Sequence, residues 1–233
     1  MTTLLIDAGP VPDDALVTRI GGLPLAPPGT GWPRCASCGG PLQFLAQLLL
    51  DENGPDAGVL ALFACQNDPG GCQDWNPASG ANRALLFAAP GLEQIALPDL
   101  DEDEDEDDED EEDDEEDDDE DDDEDDDDSV LVLGAVRAAA RYDSGEPDYG
   151  SARTAWADRT GRSRRQVLGQ VGGTPSWLQN DETPSCPSCA GAMPLAVQLE
   201  EGPDPLSAMN FGSGRGYAFA CPPCGRAVFL WQC

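Results

Sequence analysis

Residues 20–49 read IGGLPLAPPGTGWPRCASCGGPLQFLAQLL, and this stretch decides the fold because the chain repeats it. Residues 171–200 read VGGTPSWLQNDETPSCPSCAGAMPLAVQLE, which matches the first stretch at a constant offset of 151. So many Gly, Pro and Cys residues in register indicate an internal duplication. The residues that recur are Gly21, Gly22, Pro24, Pro33, Cys35, Cys38, Gln47 and Leu48, which correspond to Gly172, Gly173, Pro175, Pro184, Cys186, Cys189, Gln198 and Leu199.

Further along, the register slips by five residues, as a loop insertion between two shared strands would produce. The triplet Phe63-Ala64-Cys65 then corresponds to Phe219-Ala220-Cys221, and each half closes with one more cysteine. Each copy therefore carries two pairs of cysteines, which are Cys35, Cys38, Cys65 and Cys72 in the first copy and Cys186, Cys189, Cys221 and Cys224 in the second.

These cysteine pairs have the spacing of a tetrahedral zinc site with four thiolate ligands. We expect a cytosolic protein, and in that reducing compartment closely spaced cysteines are more often metal ligands than disulfides. The sequence predicts two structural Zn2+ ions, and a site closed by four thiolates leaves no position for a catalytic water. Free thiols or disulfides are the alternative, and Cys233 is left outside both sets.

The charge of the chain is concentrated in one segment. Residues 101–128 are 28 consecutive Asp and Glu in a chain of net charge −35, so the rest carries 19 acids against 12 bases. Such a tract does not fold on its own at neutral pH. It would repel a phosphate backbone, which disfavours nucleic acid as a direct ligand and favours a basic protein partner.

Residue types that are absent exclude most catalytic designs. The chain has no histidine and no lysine, so Ser-His-Asp triads, Cys-His pairs and Schiff-base lysines cannot be built. Gly212-x-Gly214-x-Gly216 precedes a predicted strand, which indicates a hairpin turn and not a dinucleotide loop. We expect a protein that is not an enzyme, with a hydrolase built on carboxylates as a remote alternative.

Short apolar runs bounded by Gly, Pro, Asn or Asp predict a mainly β, α+β fold. A disordered acidic linker (99–129) and a partly helical, Arg-rich connector (130–165) separate two β-sheet arms (1–98 and 166–233), each with its cysteine knuckle. The helix is expected at residues 130–142, and the arginines that follow either contact the tract or form a solvated linker. We expect no signal peptide and no membrane span. The predicted strands are residues 43–50, 59–65, 84–88, 195–199, 216–221 and 227–231.

These motifs resemble the YwqG-like bacterial proteins, a group similar to the eukaryotic programmed-cell-death-2 proteins and their yeast ribosome-assembly relative, together called the TYPP domain. The resemblance covers both arms and omits the acidic tract. It rests on Ile20-Gly21-Gly22-Leu23-Pro24, Trp32-Pro33-Arg34-Cys35-x-x-Cys38-Gly39, Pro41-Leu42-x-Phe44-Leu45-x-Gln47-Leu48, Val171-Gly172-Gly173-x-Pro175-x-Trp177-Leu178-Gln179 and Phe229-Leu230-Trp231-Gln232-Cys233.

The resemblance implies a duplicated β-rich fold and a chaperone or assembly factor for a basic client such as a ribosomal protein. An immunity protein that neutralises a cationic toxin is the alternative. The sequence leaves the oligomeric state open. Candidate partner-binding residues are those that the duplication kept or that flank its glycines, although strand packing would keep them equally well: Gly22, Pro24, Gln47, Gly173, Pro175, Trp177 and Gln198.

Overall fold

The computed structural model describes residues 1–50, 58–68, 70–98, 131–203 and 209–233. Within these ranges, one α-helix and two short 3-10 turns accompany twelve strands, so the fold is mainly β. The helix is α1 (Tyr149–Thr160), and the turns are Arg164–Gln166 and Pro222–Cys224. The strands are β1 (Thr3–Pro10), β2 (Arg19–Ile20), β3 (Leu25–Ala26), β4 (Gln43–Leu50), β5 (Gly58–Ala64), β6 (Asn82–Ala88), β7 (Glu93–Gln94), β8 (Arg137–Asp143), β9 (Val167–Val171), β10 (Leu195–Leu199), β11 (Arg215–Cys221) and β12 (Arg226–Gln232).

Ten of these strands form one antiparallel sheet in the order β12-β11-β10-β9-β1-β8-β2-β4-β5-β6, and β3 pairs with β7 separately. The sheet curls until its edge strands β6 and β12 pack against each other. At this seam the Trp231 indole donates a hydrogen bond to Asp74 at 3.0 Å and meets the Trp75 ring edge to face. One core cluster inside the curl contains residues from both ends of the sheet, including Leu60, Leu62 and Phe229.

The two halves of the chain exchange their first strands at the centre of this sheet. β1 precedes the first repeat block but pairs with β9, where Thr3 lies opposite Val171. β8 precedes the second block but pairs with β2, where Arg137 lies opposite Ile20. Ile20 and Val171 stand at the repeat offset of 151, so the two exchanges are equivalent. The strands of both predicted arms therefore share one sheet.

The exchanged strands also pair with each other and are joined by an ion pair. The Arg137 guanidinium donates two hydrogen bonds to the buried Asp7 carboxylate, from Nε at 3.1 Å and Nη2 at 2.6 Å. A bidentate contact of this kind satisfies a carboxylate that burial would otherwise destabilise.

The six predicted strands are β4, β5, β6, β10, β11 and β12, each within two residues of its predicted bounds. Gly212 and Ser213 form the predicted turn before β11, with φ of 56° and 68°. The helix expected at residues 130–142 is wrong in the described part, because residues 137–143 form β8. Pairing with β1 and β2 on both sides overrides the helix propensity of its alanines.

The helix lies later in the predicted connector. The Asp148 side chain accepts a hydrogen bond from the Ser151 amide and caps the N-terminus of α1, and Gly161 ends it in a left-handed conformation. Tyr149, Ala152 and Trp156 form its buried face against β1 and β9. The predicted acidic linker (99–129) lies outside the described residues.

Candidate metal centres and the glycine loops

The structure brings each predicted set of four cysteines together. Within each set, all four Sγ atoms lie within 4.8 Å of one another. Cys38 and Cys65 are 3.8 Å apart at sulfur, and Cys189 and Cys221 are 4.0 Å apart. A disulfide requires about 2.05 Å, so these are separate thiols. Four sulfurs about 2.3 Å from a central zinc ion would be about 3.8 Å apart, so each group fits a tetrahedral metal ion.

The first Cys-x2-Cys turn of each centre is a knuckle, and the two knuckles are held by the same three backbone hydrogen bonds. In the first, the amides of Cys35, Gly39 and Leu42 donate to the carbonyls of Gly40, Cys35 and Pro33. In the second, the residues 151 positions later make the same bonds, at 2.8 to 2.9 Å. The residue after the second cysteine has positive φ in both, 76° at Gly39 and 58° at Ala190. Glycine therefore favours this turn without being required by it.

The first centre (Cys35, Cys38, Cys65 and Cys72) is mostly buried. Burial raises the pKa of Cys65 to about 11 and raises that of Cys72 further. Burial also tends to raise the pKa of Cys38, but hydrogen bonds from the Asn67 side chain and the Gly40 backbone outweigh it and lower this pKa to about 7. Asn67 Nδ2 lies 3.3 Å from Cys38 Sγ and 3.5 Å from Cys65 Sγ, so it can support thiolate charge in a metal-bound state.

The second centre (Cys186, Cys189, Cys221 and Cys224) is closer to solvent, since only Cys186 is buried. Backbone amides of Cys189 and Ser188 lower the pKa of Cys186 to about 7. Thiol contacts with Cys221 and Cys189, followed by burial, raise the pKa of Cys224 to about 12. Each centre thus combines a thiol whose pKa is lowered to about 7 with thiols whose pKa is raised, and a cation would be needed to hold the latter as thiolates.

Four of the candidate partner-binding residues, Gly22, Pro24, Gly173 and Pro175, lie in two corresponding loops, the first glycine loop (residues 21–24) and the second glycine loop (residues 172–175). Gln47 and Gln198 are fully buried and accept from the amides of Leu25 and Ser176, at 2.9 and 2.8 Å. These glutamines hold their loops from beneath, which accounts for their place in the repeat by packing alone. Their role in partner binding stays a prediction.

The two loops differ in what covers them. Residues 131–136, the covering segment, cross the first glycine loop, and the Gly22 amide donates to the Leu133 carbonyl at 2.6 Å. The second glycine loop leaves Gly173 exposed and Pro175 partly exposed. Trp177, which follows this loop, stacks on Tyr217 and Phe219 with ring centroids 4.4 and 5.9 Å away, so much of its ring belongs to the core beside the second centre.

Sequence reasoning missed a second link that holds each loop. Arg19 is completely buried in β2 and donates to the Leu23 carbonyl at 2.6 Å. Gln170 stands 151 residues later and donates to the Thr174 carbonyl at 2.9 Å. The offset of 151 relates Arg19 to Gln170, but the two side chains differ in type, so identity between the halves does not mark this pair. Cys233 is exposed and lies outside both four-cysteine groups.

A curled antiparallel sheet that carries two four-cysteine knuckles defines a β protein with two candidate metal centres. Residues 18–221 match the family described as "Domain of unknown function (DUF1963)", and the chain therefore belongs to this family. A segment of 66 residues is 36% identical to "Uncharacterized protein YpfL" of Salmonella typhimurium (strain LT2). This segment is 28% of the present chain and spans only 15% of YpfL. Within the described ranges, no helix has the length and apolar character to cross a membrane.

Proposed function

We propose that both four-cysteine centres bind structural Zn2+, and that the protein is a cytoplasmic binding protein for a basic client and not an enzyme. The donor set supports the metal, because four thiolates in a tetrahedron suit Zn2+ and fill its coordination sphere. A filled sphere supplies no activated water, so the ions would hold the fold together and take no part in hydrolysis.

The matched knuckles support a duplicated origin within the YwqG-like proteins. The three knuckle hydrogen bonds and the glutamine contact beneath each loop recur at the offset of 151. The backbone turn serves the geometry of the cysteines, but the buried glutamine contact is not needed for metal binding, and it lies at the same distance along the chain from the turn in both halves. Their joint recurrence is what a duplicated ancestral unit would leave.

If both centres bind zinc, the second is expected to lose its ion first. Three of the four ligands of the first centre are buried, against one in the second, so a chelator reaches the second centre more readily. We expect release in two phases that differ at least about tenfold in rate, measured with a coloured zinc chelator. Cys189→Ser should remove the fast phase, and Cys233→Ser should change neither. A single phase with a stoichiometry of two would contradict the ranking.

The acidic tract carries the proposed choice of client. It places 28 carboxylates in one segment between β7 and β8, while the remaining residues carry 19 acids and 12 bases. A chain of this length spans on the order of 30 Å or more, so it can contact a wide basic surface while the folded body makes the specific contacts. Attraction to a cationic client follows from this charge density and should weaken with salt.

The test is an affinity pull-down from native cytosol, with the full-length protein beside a variant that lacks residues 101–128. We expect the full-length protein to enrich one basic protein, and binding of the purified client to weaken at least about tenfold from low to physiological ionic strength. The deletion should weaken binding and leave the melting temperature nearly unchanged, which is the control for folding.

Three results would contradict or redirect this proposal. Client affinity that does not change with salt would remove the charge argument. A cationic toxin as the sole enriched protein would favour the immunity alternative. Recovery of many unrelated basic proteins, all lost with the deletion, would show a nonspecific polyanion and refute a single dedicated client.

A further inference from the structure

The second glycine loop is open at the place where the first is covered. A Cβ built on Gly21 would lie 2.3 Å from the Ala135 oxygen, and one on Gly22 would lie 2.2 Å from Val136 Cγ2. Among the described residues, the corresponding positions in the second loop are free, since the nearest atom to a Cβ on Gly172 is 3.9 Å away and Gly173 has none within 4 Å.

The backbone of the second loop nevertheless keeps the conformation of the covered one. The paired glycines have φ of 70° and 65° in the first loop and 60° and 74° in the second. Buried side chains hold both loops, through Arg19 and Gln47 in the first and Gln170 and Gln198 in the second. The second loop thus has the shape that receives a covering segment.

A cavity of about 340 Å3 lies against the second loop, a volume in the range of ligand-binding clefts. Its lining includes Val171, Thr174, Pro175 and, from α1, Tyr149. The Tyr149 hydroxyl is buried near Glu200 and makes no hydrogen bond of normal geometry with the described residues. Burial, followed by the negative charge of Glu200, raises the pKa of this phenol, so at neutral pH the group keeps its proton.

The covering segment shows what kind of ligand this shape accepts. It is the aliphatic sequence Leu131-Val132-Leu133-Gly134-Ala135-Val136, without helix or strand structure, and it enters β8 at Arg137. Leu131 and Leu133 pack against the core beside the first centre, and the Leu133 carbonyl accepts from Gly22. Thr3 has the register of Arg137 in the other half of the sheet, so Met1 and Thr2 hold the register of Ala135 and Val136. Both Met1 and Thr2 line the cavity.

We propose that the cavity beside the second glycine loop is a docking groove for an extended aliphatic segment of the client protein. The segment takes the place that residues 131–134 have in the first half and accepts a hydrogen bond from the Gly173 amide. That this segment belongs to the client protein rests on the proposed function.

A segment in this groove binds reversibly, because one pair of hydrogen bonds that holds the covering segment in the first half has no counterpart in the second. In the first half, the Gln43 side chain clamps Val132 through two hydrogen bonds of 2.7 and 2.8 Å. The residue 151 positions later is Pro194, which has no side-chain amide. A segment in the second groove is held by the loop and by apolar contacts, as suits a client that must be released.

The covering segment itself supplies the probe. We would titrate full-length protein, labelled with 15N-glycine, with a capped peptide of residues 129–137 of this chain. We expect a dissociation constant below about 1 mM and shifts of the Gly172 and Gly173 amide signals. Thr174→Trp and Thr174→Arg, which change an exposed side chain in the lining, should each weaken binding at least tenfold. Asp158→Trp is the matched control, since Asp158 lies about 13 Å along α1 from the cavity residue Tyr149, and this variant should bind the peptide normally.

Two outcomes would overturn the groove. One is no binding up to about 1 mM peptide, and the other is unchanged binding by both Thr174 variants while they melt like the parent protein. The capped peptide carries a single charge, at Arg137, so its binding should change much less with salt than the client binding proposed above. Peptide binding without a basic client would leave the groove standing and reject the proposed function, and the reverse result would do the opposite.

Discussion

If the two cysteine centres bind metal as proposed, replacing Cys65 by serine should release the ion of the first centre and destabilise the whole protein. Cys65 follows β5 directly, is 3% exposed and contacts the Trp32 and Phe63 side of the core cluster beside the first centre. Structural zinc contributes about 10 to 16 kcal/mol to the folding of small domains, which is comparable with the entire stability of a typical domain. We therefore expect a loss of at least about 4 kcal/mol in the free energy of unfolding.

The measurement is metal content by plasma mass spectrometry together with thermal unfolding. Because the strands of both halves share one sheet and one core cluster, unfolding should remain a single transition. Cys233→Ser is the matched control, since Cys233 lies outside both centres, and it should keep two metal ions and the parental melting temperature. Two metal ions and unchanged stability in Cys65→Ser would show that Cys65 is not a ligand.

Alanine at Gly21 is expected to cost far more than alanine at Gly172, although the two glycines correspond in the repeat. Both have positive φ, so each substitution carries a backbone penalty of about 1 to 2 kcal/mol. At Gly21 the new Cβ would also lie 2.3 Å from the Ala135 oxygen and push the covering segment away. We expect at least about 3 kcal/mol for Gly21→Ala and about 1 kcal/mol for Gly172→Ala.

Chemical denaturation of the two variants measures this difference directly. Tryptophan fluorescence reports the core, and a second probe placed at exposed Ala135 reports whether the covering segment has detached. Equal losses of stability in the two variants would mean that the covering segment does not rest on the first loop. The first loop would then no longer show how a segment covers such a loop, and the docking groove inferred from that comparison would lose its support.

The sequence predicted the local elements where side-chain pattern and turn residues act over a few positions. β4 and β10 begin and end at the predicted residues, because apolar runs bounded by turn formers leave few other assignments. The two four-cysteine groups were equally accessible, since the spacing within each cysteine pair is a local property and the repeat related each pair to its counterpart. The predicted position of the helix was wrong for two reasons. The true helix α1 has Gly150 in its first turn and few apolar residues, and the alanine run that resembles a helix lies in β8.

What the sequence by itself determined is therefore the mainly β class, the eight cysteines of the two centres and the recurring glycine loops. Only the tertiary structure decided that β1 and β8 exchange between the halves, that one sheet curls onto itself at Trp231, and that one loop is covered and its counterpart open. The exchanged strand pairs, the seam at Trp231 and the contact that covers the first loop all join residues more than a hundred positions apart. The free energy of such contacts depends on the geometry of the whole chain, which no local pattern encodes.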